Sequence, residues 1–277
     1  MKISFIGAGS MAEAMITGLI ERDICQCDQI YATNGGNKIK LAELENRYRI
    51  HTSYDLKEIV SGADIIIFAV KPKDADAALR NIQPFIEKQA LFVSVLAGIS
   101  LAFIEERIGT DHAIVRAMPN TSASVGKSAT AVTCNRNVSS AQEQLTLDIF
   151  SSIGMTAIVE ENQLDAITGL SGSGPAYIYY LVEAMEQSAV ELGLDADIAK
   201  RLIIQTLSGA ADMLLTSGKE AATLRAEVTS PGGTTEAGLS VLQQNGVKEA
   251  LMECVKTAAK QSAKLGSMYE KEHMNSR

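Results

Sequence analysis

"FIGAGSMAEA" (Phe5–Ala14) follows directly on a short apolar run, Ile3–Ile6, and leads into a helical pattern that continues through Ile20. It sets Gly7, Gly9 and Ala12 at the spacing G-x-G-x-x-A, with a strand before and a helix after. In that context the spacing is a dinucleotide-binding fingerprint. Gly7 permits the tight turn, Gly9 lets the backbone approach a pyrophosphate, and Ala12 lets helix and strand pack closely. The unpaired N–H groups of the helix start then face the phosphates. The apolar opening after Lys2 also has the look of a signal peptide. Gly7, Gly9 and Glu13 interrupt it and no cleavage site follows, so strand, turn and helix is the reading.

Outward from this loop the first half of the chain alternates. Ile30–Ala32 is a second short strand, and Asp64–Val70 ("DIIIFAV") is the most apolar one. Leu91–Leu96 and Ala113–Ala117 follow, each after a helical or turn segment, and Ser128–Cys134 and Met155–Glu160 flank a helix near Gln142–Phe150. Apolar strands separated by helices imply βαβ units and a parallel sheet covered on both faces. From Pro175 onward no strand is predicted. Ala176, Tyr177, Tyr180, Leu181, Ala184, Met185 and Ala189 recur at helical spacing, as do Ile198, Leu202, Leu207, Ala210, Ala211, Leu214 and Leu215. A third stripe runs from Val247 to Ala259. These stripes are too wide for a short bundle to bury alone, which predicts a helical domain packed against another subunit. The fold class is therefore α/β: an N-terminal Rossmann-type parallel sheet over residues 1–160, then an all-helical dimerisation domain over 161–277. The charged stretch Glu160–Gln163 marks the boundary.

The bulk numbers agree. The chain has 277 residues, is 46% apolar and 21% charged, and carries a formal net charge of −8 with no basic cluster. Nucleic-acid binding is disfavoured, and no apolar run is long enough to span a bilayer. Cys25, Cys27, Cys134 and Cys254 form no paired ligand set with His51, His112 or His273, so no metal site and no disulfide framework is expected. Reduced thiols in a cytoplasmic protein is the expectation.

The second strand ends in "TNGGNKIK", Thr33 to Lys40, where an NAD-preferring loop carries a carboxylate for the ribose hydroxyl. Neutral Asn34 with Lys38 and Lys40 nearby favours NADPH, with NADH as the alternative. Lys71 and Pro72 stand at the carboxyl end of the most buried strand, where such sheets bind ligands, although a solvated strand end explains Lys71 equally well. In the second half, "VTSPGGTTEAGL" (Val228–Leu239) is an interhelical turn by its Pro-Gly-Gly chemistry and a backbone cradle for a small anion by its position at a helix start.

Over nearly its whole length the sequence resembles the pyrroline-5-carboxylate reductases. The likeness rests on "IGAGSM" (Ile6–Met11), "AVKP" (Ala69–Pro72), "MPNT" (Met118–Thr121), "GLSGSGPAY" (Gly169–Tyr177) and "VTSPGGTTEAGLSVLQ" (Val228–Gln243). The resemblance implies hydride transfer from NAD(P)H to the C=N carbon of 1-pyrroline-5-carboxylate, giving L-proline in the last step of proline biosynthesis. It also implies a homodimer, assembling further into a ring such as a decamer. Carried over by position, the cofactor contacts Ile6, Gly7, Ala8, Gly9, Ser10, Met11, Asn34, Ala69, Val70, Lys71, Pro72, Val95, Leu96 and Ala97. The substrate carboxylate lies on Gly233, Thr234 and Thr235, with the catalytic Thr235 hydroxyl near the ring nitrogen. Ser173 is a substrate residue on the same basis, and a helix start that only packs explains it equally. A cyclic imine arrives partly protonated, so its reduction needs positioning more than a strong acid.

The sequence departs from the family pattern in places. Ser122 stands where proline is common, Leu56 where asparagine is usual, and Ala226 where an aspartate follows Leu-Arg. The loop "TNGGN" lacks a frequent arginine. Two rivals weigh against the resemblance. A hydroxyacid dehydrogenase or ketopantoate reductase needs a helical Lys-x-x-Asn as acid or base, and no lysine after Lys127 has that spacing. A non-catalytic NADPH-binding relative remains the other reading, and the intact Gly232, Gly233 and Thr235 speak against it.

Overall fold

Strand β4 (Ile65–Phe68) is buried along its whole length, because helices cover both faces of the sheet it centres. The computed structural model describes the backbone of residues 1–274 and side chains through Tyr269, so His273 and the end of the predicted 161–277 domain lie outside the described side chains. The strands are β1 (Ile3–Ile6), β2 (Ile30–Thr33), β3 (His51–Thr52), β4, β5 (Leu91–Ser94), β6 (Ala113–Met118), β7 (Ser128–Cys134) and β8 (Gly154–Ile158). Their order is β3-β2-β1-β4-β5-β6-β7-β8. Neighbours run parallel except β6 and β7, which pair antiparallel, Arg116 opposite Thr133. The link Pro119–Lys127 is too short for a helical crossover, so the chain must turn back. Strand β3 went unread because two residues carry no periodicity.

Alternate residues of each strand feed opposite faces. Phe5, Ile65, Ile67 and Val93 join one core, with Met15, Ile16 and Leu19 of α1 (Ser10–Glu21), Leu41 and Leu44 of α2 (Lys38–Tyr48) and Phe150 of a later helix. Ile66, Phe68 and Phe92 join the other. There they meet Ile59 and Val60 of α3 (Leu56–Val60), Leu79 and Ile82 of α4 (Ala75–Ile82), and Leu101 and Ile104 of α5 (Leu101–Ile108). Helix α6 (Ser140–Ser151) opens on a capping box in which Ser139 and Gln142 bond each other's backbone N–H.

After β8 the chain is helical: α7 (Leu164–Ile167), a π turn at Thr168–Gly172, α8 (Gly174–Glu191), α9 (Ala196–Thr216), α10 (Ala221–Glu227), α11 (Thr234–Gln244) and α12 (Val247–Met274). The chain divides into two compact units, Met1–Ser173 with Lys256–Arg277, and Gly174–Val255. The sheet unit extends past Glu160–Gln163 to Ser173 for a physical reason. Glu161 accepts from Arg116 of β6 at 2.6 Å and from the Leu101 N–H at 2.7 Å, and Asn120 donates to the Ser171 carbonyl at 3.0 Å. Residues 161–173 are thus tied to the sheet.

In the helical unit α8 and α9 pack together, yet only Ala189, Ala199 and Ile203 are buried apolar residues there. Tyr180, Leu192, Leu202 and Leu215 are exposed. The stripes expected from the sequence are present, and this chain alone does not cover them. No helix among the described residues is long and apolar enough to cross a membrane.

Gly154 begins β8 opposite Ser128, and a Cβ there would lie 2.1 Å from the Ser128 carbonyl oxygen and 2.3 Å from its nitrogen. Gly154→Ala is expected to lower the unfolding free energy by about 2–4 kcal/mol. A urea titration should show a lower midpoint at an unchanged slope; an unchanged midpoint would refute the contact.

Candidate functional site

The first turn is built from backbone. Gly7 has φ +109, and a Cβ on it would fall 2.3 Å from the Ala69 carbonyl oxygen and 2.8 Å from the Val70 nitrogen, so only glycine brings the ends of β1 and β4 this close. Its N–H donates to the Thr33 carbonyl of β2 at 3.0 Å. Gly9 is the opposite case. It caps α1 with no side-chain bond to the first-turn N–H groups, and a Cβ on it would meet no atom within 4 Å. The open space lies where a side chain would sit, beside the orphan donors, and it fits a pyrophosphate. Ile6 and Ala8 turn their side chains into the core, leaving backbone to the loop's outer surface, while Ser10 is exposed and Met11 half-buried.

At the tip of β2, Asn34 is fixed by its loop. Its Oδ1 accepts from the Gly36 N–H at 2.9 Å and the Tyr54 hydroxyl at 3.1 Å, and its Nδ2 donates to the Asn37 carbonyl at 2.8 Å. Lys38 is exposed. Lys40, expected from the sequence to serve a ribose phosphate, is instead held by Glu13 of α1, Nζ to Oε2 2.7 Å. Arg47 reaches the other oxygen at 3.2 Å, and the Tyr48 hydroxyl donates to it at 3.2 Å. The hydrogen bond from Lys40 holds the Glu13 carboxyl below its ordinary range, against a smaller opposing effect of burial, and the same bond raises Lys40.

The remaining cofactor candidates line the ends of β4 and β5. Ala69 and Val70 are half-buried, Lys71 is exposed, and Pro72 opens a short 3-10 turn. Val95 and Ala97 are half-buried, while the Leu96 side chain is in the core. A cavity of about 230 Å³ brings Pro72 and Ala97 together with Ser173, Thr168, Gln261 and Tyr269. The "MPNT" turn supports it from behind: Met118 Cε lies 2.7 Å from where a Gly172 Cβ would be. At Ser122, where the family commonly has proline, the N–H donates to Asn120 Oδ1 at 3.1 Å, a bond proline could not make. Leu56 opens α3 and packs on the core.

In the helical unit, Gly233 caps α11 without a side-chain bond, and Gly232 has φ +70. The Gly233 N–H turns inward to the Ser230 carbonyl at 3.0 Å, and Glu236 folds back onto the Gly232 N–H at 2.7 Å. The outward donors of this turn are therefore the Thr234 and Thr235 N–H groups. Thr235 is half-buried, and its hydroxyl has no protein partner among the described residues. A groove of about 750 Å³ runs along the same helix start, lined by Arg225, Ala226, Thr229, Gly233 and Glu236 among others.

Residues 161–265 match the family model described as pyrroline-5-carboxylate reductase dimerisation, and residues 2–98 match that described as NADP oxidoreductase coenzyme F420-dependent. The chain is 46% identical over 268 residues to pyrroline-5-carboxylate reductase 2 of Bacillus subtilis (strain 168), covering 97% of this chain and 96% of that one. The chain belongs to the pyrroline-5-carboxylate reductase family. Its fold superposes on the Plasmodium falciparum pyrroline carboxylate reductase solved with NADP bound, with a TM-score of 0.88 at 31% identity, covering 96% of this chain and 98% of that one. The Coxiella burnetii reductase gives a TM-score of 0.87 at 35% identity, covering 95% and 98%.

For this reductase-family chain, sequence reasoning missed the second half of α12. Gly266 crosses the Gly98 turn so closely that a Cβ on it would lie 2.5 Å from the Gly98 oxygen, and Ser262 donates to Asp165 Oδ1 at 2.6 Å. A glycine in a helical pattern beside a small-residue stripe was the available signal. Sequence also missed Glu13 as the partner of Lys40, since nothing in the spacing pairs residues on two different helices.

The lowered Glu13 pKa has a pH consequence. A carboxyl held below its ordinary value of 4.5 contributes stability that is present above that value and lost as pH falls through its folded pKa. The stability advantage of the wild type over Glu13→Gln is expected to be constant near neutrality and to shrink from about pH 5 downward. Denaturation at stepped pH measures it; an advantage that grows on acidification would contradict the pairing.

Proposed function

We propose that this chain is an NAD(P)H-dependent 1-pyrroline-5-carboxylate reductase that forms L-proline, the last step of proline biosynthesis. The observation that carries the reading is the pair of glycine-capped helix starts, Gly9 and Gly233, in a chain that matches the family from end to end. NAD(P)H, when bound, supplies the hydride for the imine carbon. Residues Ile6–Met11 hold its pyrophosphate on the α1 donors, Asn34 meets the adenosine ribose, and Ala69–Pro72 with Val95–Ala97 form the wall at the strand ends. NADPH is the proposed donor, with NADH as the alternative.

The Thr234 and Thr235 N–H groups, at the positive end of α11, hold the substrate carboxylate, and Gly233 keeps that approach free of a side chain. The Thr235 hydroxyl, which has no protein partner among the described residues, bonds at the ring nitrogen and fixes which face of the imine is presented. The protonated imine brings its own proton, so the product amine needs none from the protein. Ser173, in the cavity it shares with Pro72 and Ala97, is a proposed substrate residue. Residues 161–277 are proposed as the substrate-binding and dimerisation domain, with the carboxylate cradle in its compact unit Gly174–Val255. The exposed apolar stripes of α8 and α9 support a homodimer, and a larger ring such as a decamer is proposed on the family likeness. The chain is placed in the cytoplasm, in keeping with four free cysteines.

Purified protein given NADPH and pyrroline-5-carboxylate is expected to oxidise NADPH with one proline formed per turnover. Folded protein that forms no proline would overturn the proposal. Thr235→Ala should lower kcat by about a hundredfold while leaving NADPH affinity within about twofold, and equal losses in both would remove its assigned role. Gly9→Val, entering open space, should leave Tm within a few degrees and weaken nucleotide binding by at least about tenfold; unchanged binding would move the pyrophosphate elsewhere.

A further inference from the structure

Two cations of α2, Lys40 in its first turn and Arg47 in its last, reach toward α1. Lys40 and Arg47 both reach back to one carboxylate, Glu13, in the first turn of α1 at 2.7 and 3.2 Å. The Tyr48 hydroxyl completes the set on Oε1 and also accepts from Thr17. Glu13 and Lys40 are both largely shielded, their side chains 21% and 28% exposed, so the pair is held in one geometry and is not a passing surface contact. Asn34, at the ribose position, has its carbonyl oxygen taken by Gly36 and Tyr54. What remains to meet a ribose 2′-phosphate is exposed Lys38 and the N-terminal donors of α2.

We propose that Glu13 is a specificity-determining residue: by holding Lys40 against α1 it keeps that cation from a 2′-phosphate, and so sets how far the chain favours NADPH over NADH. The inference rests on the placement of the dinucleotide in the proposed function. A 2′-phosphate adds a doubly charged group that a freed lysine would pair with, whereas a 2′-hydroxyl offers no charge to reward that movement. The carboxylate in the first turn of α1 therefore acts on discrimination between the two dinucleotides and not on the pyrophosphate they share.

The test uses 2′,5′-ADP and 5′-ADP as probes in titration calorimetry on the whole protein, which needs no turnover. Glu13→Gln is expected to tighten 2′,5′-ADP by about fivefold to tenfold, with 5′-ADP changed by less than about twofold. The gain should fall as salt is raised and vanish in Glu13→Gln/Lys40→Gln. The ratio of kcat/KM for NADPH over NADH should rise in parallel. Glu13→Asp, too short to hold both cations, should move the same way by less, and serves if the glutamine variant folds poorly. Equal changes for both probes, or weaker 2′,5′-ADP binding, would overturn the assignment. If the wild type binds neither probe, the dinucleotide placement itself fails, which is a different result.

Discussion

The approach of Gly7 to the Ala69–Val70 peptide is the contact on which the rest of the first unit depends. A methyl group placed there would overlap the Ala69 carbonyl, so β1 and β4 end side by side only because residue 7 has no side chain. That closeness aims the start of α1 over the strand ends and leaves Gly9 facing open space. The side chains around the turn then have nowhere to go but inward: Ile6, Ala8 and Leu96 are core residues, so the surface they frame is made of peptide groups. Gly98 and Gly266 repeat the device at the end of β5, where a helix far along the chain lies on the turn backbone to backbone. A site built this way reads a ligand by donors and shape, and is insensitive to most side-chain choices.

The charge arrangement follows from the same geometry. A carboxylate in the first turn of α1 favours the helix through its dipole, yet would repel phosphate at the same helix start. Lys40 and Arg47 resolve the conflict by neutralising Glu13 from α2, which leaves the N–H groups of α1 as the uncompensated positive end. The helix start at Gly233 meets the same problem differently. Glu236 spends its charge on the Gly232 N–H, within its own turn.

Much of this was legible in the sequence because burial on two faces writes continuous apolar strands, and "DIIIFAV" could hardly be anything else. Glycine spacing exposed both helix starts for the same reason: it marks where backbone must pass close to something. What stayed hidden depends on meetings between distant segments. The reversal at β7 follows from a loop too short to cross over, which no periodicity records. The division after Ser173 depends on Glu161 finding Arg116, and the cavity at Pro72, Ala97 and Ser173 needs the end of α12 to close it. Lys40 was read as available because sequence gives its neighbours and not its partner.

The helical unit inverts the economy of the sheet unit. Around the sheet, two cores bury the large aliphatic and aromatic residues of nearly every strand, and the unit owes its cohesion to its own contacts. Between Gly174 and Val255 the apolar stripes are as wide, but only Ala189, Ala199 and Ile203 are buried, while Leu192 and Leu215 are each 81% exposed. Exposed apolar surface on that scale does not persist in water uncovered. In the proposed homodimer a second helical unit of the same kind would cover it, and stability gained by association would then belong to the pair and depend on chain concentration. The helix start at Gly233 sits within this unit, so the proposed carboxylate cradle is carried by the part of the chain that the proposed homodimer would stabilise.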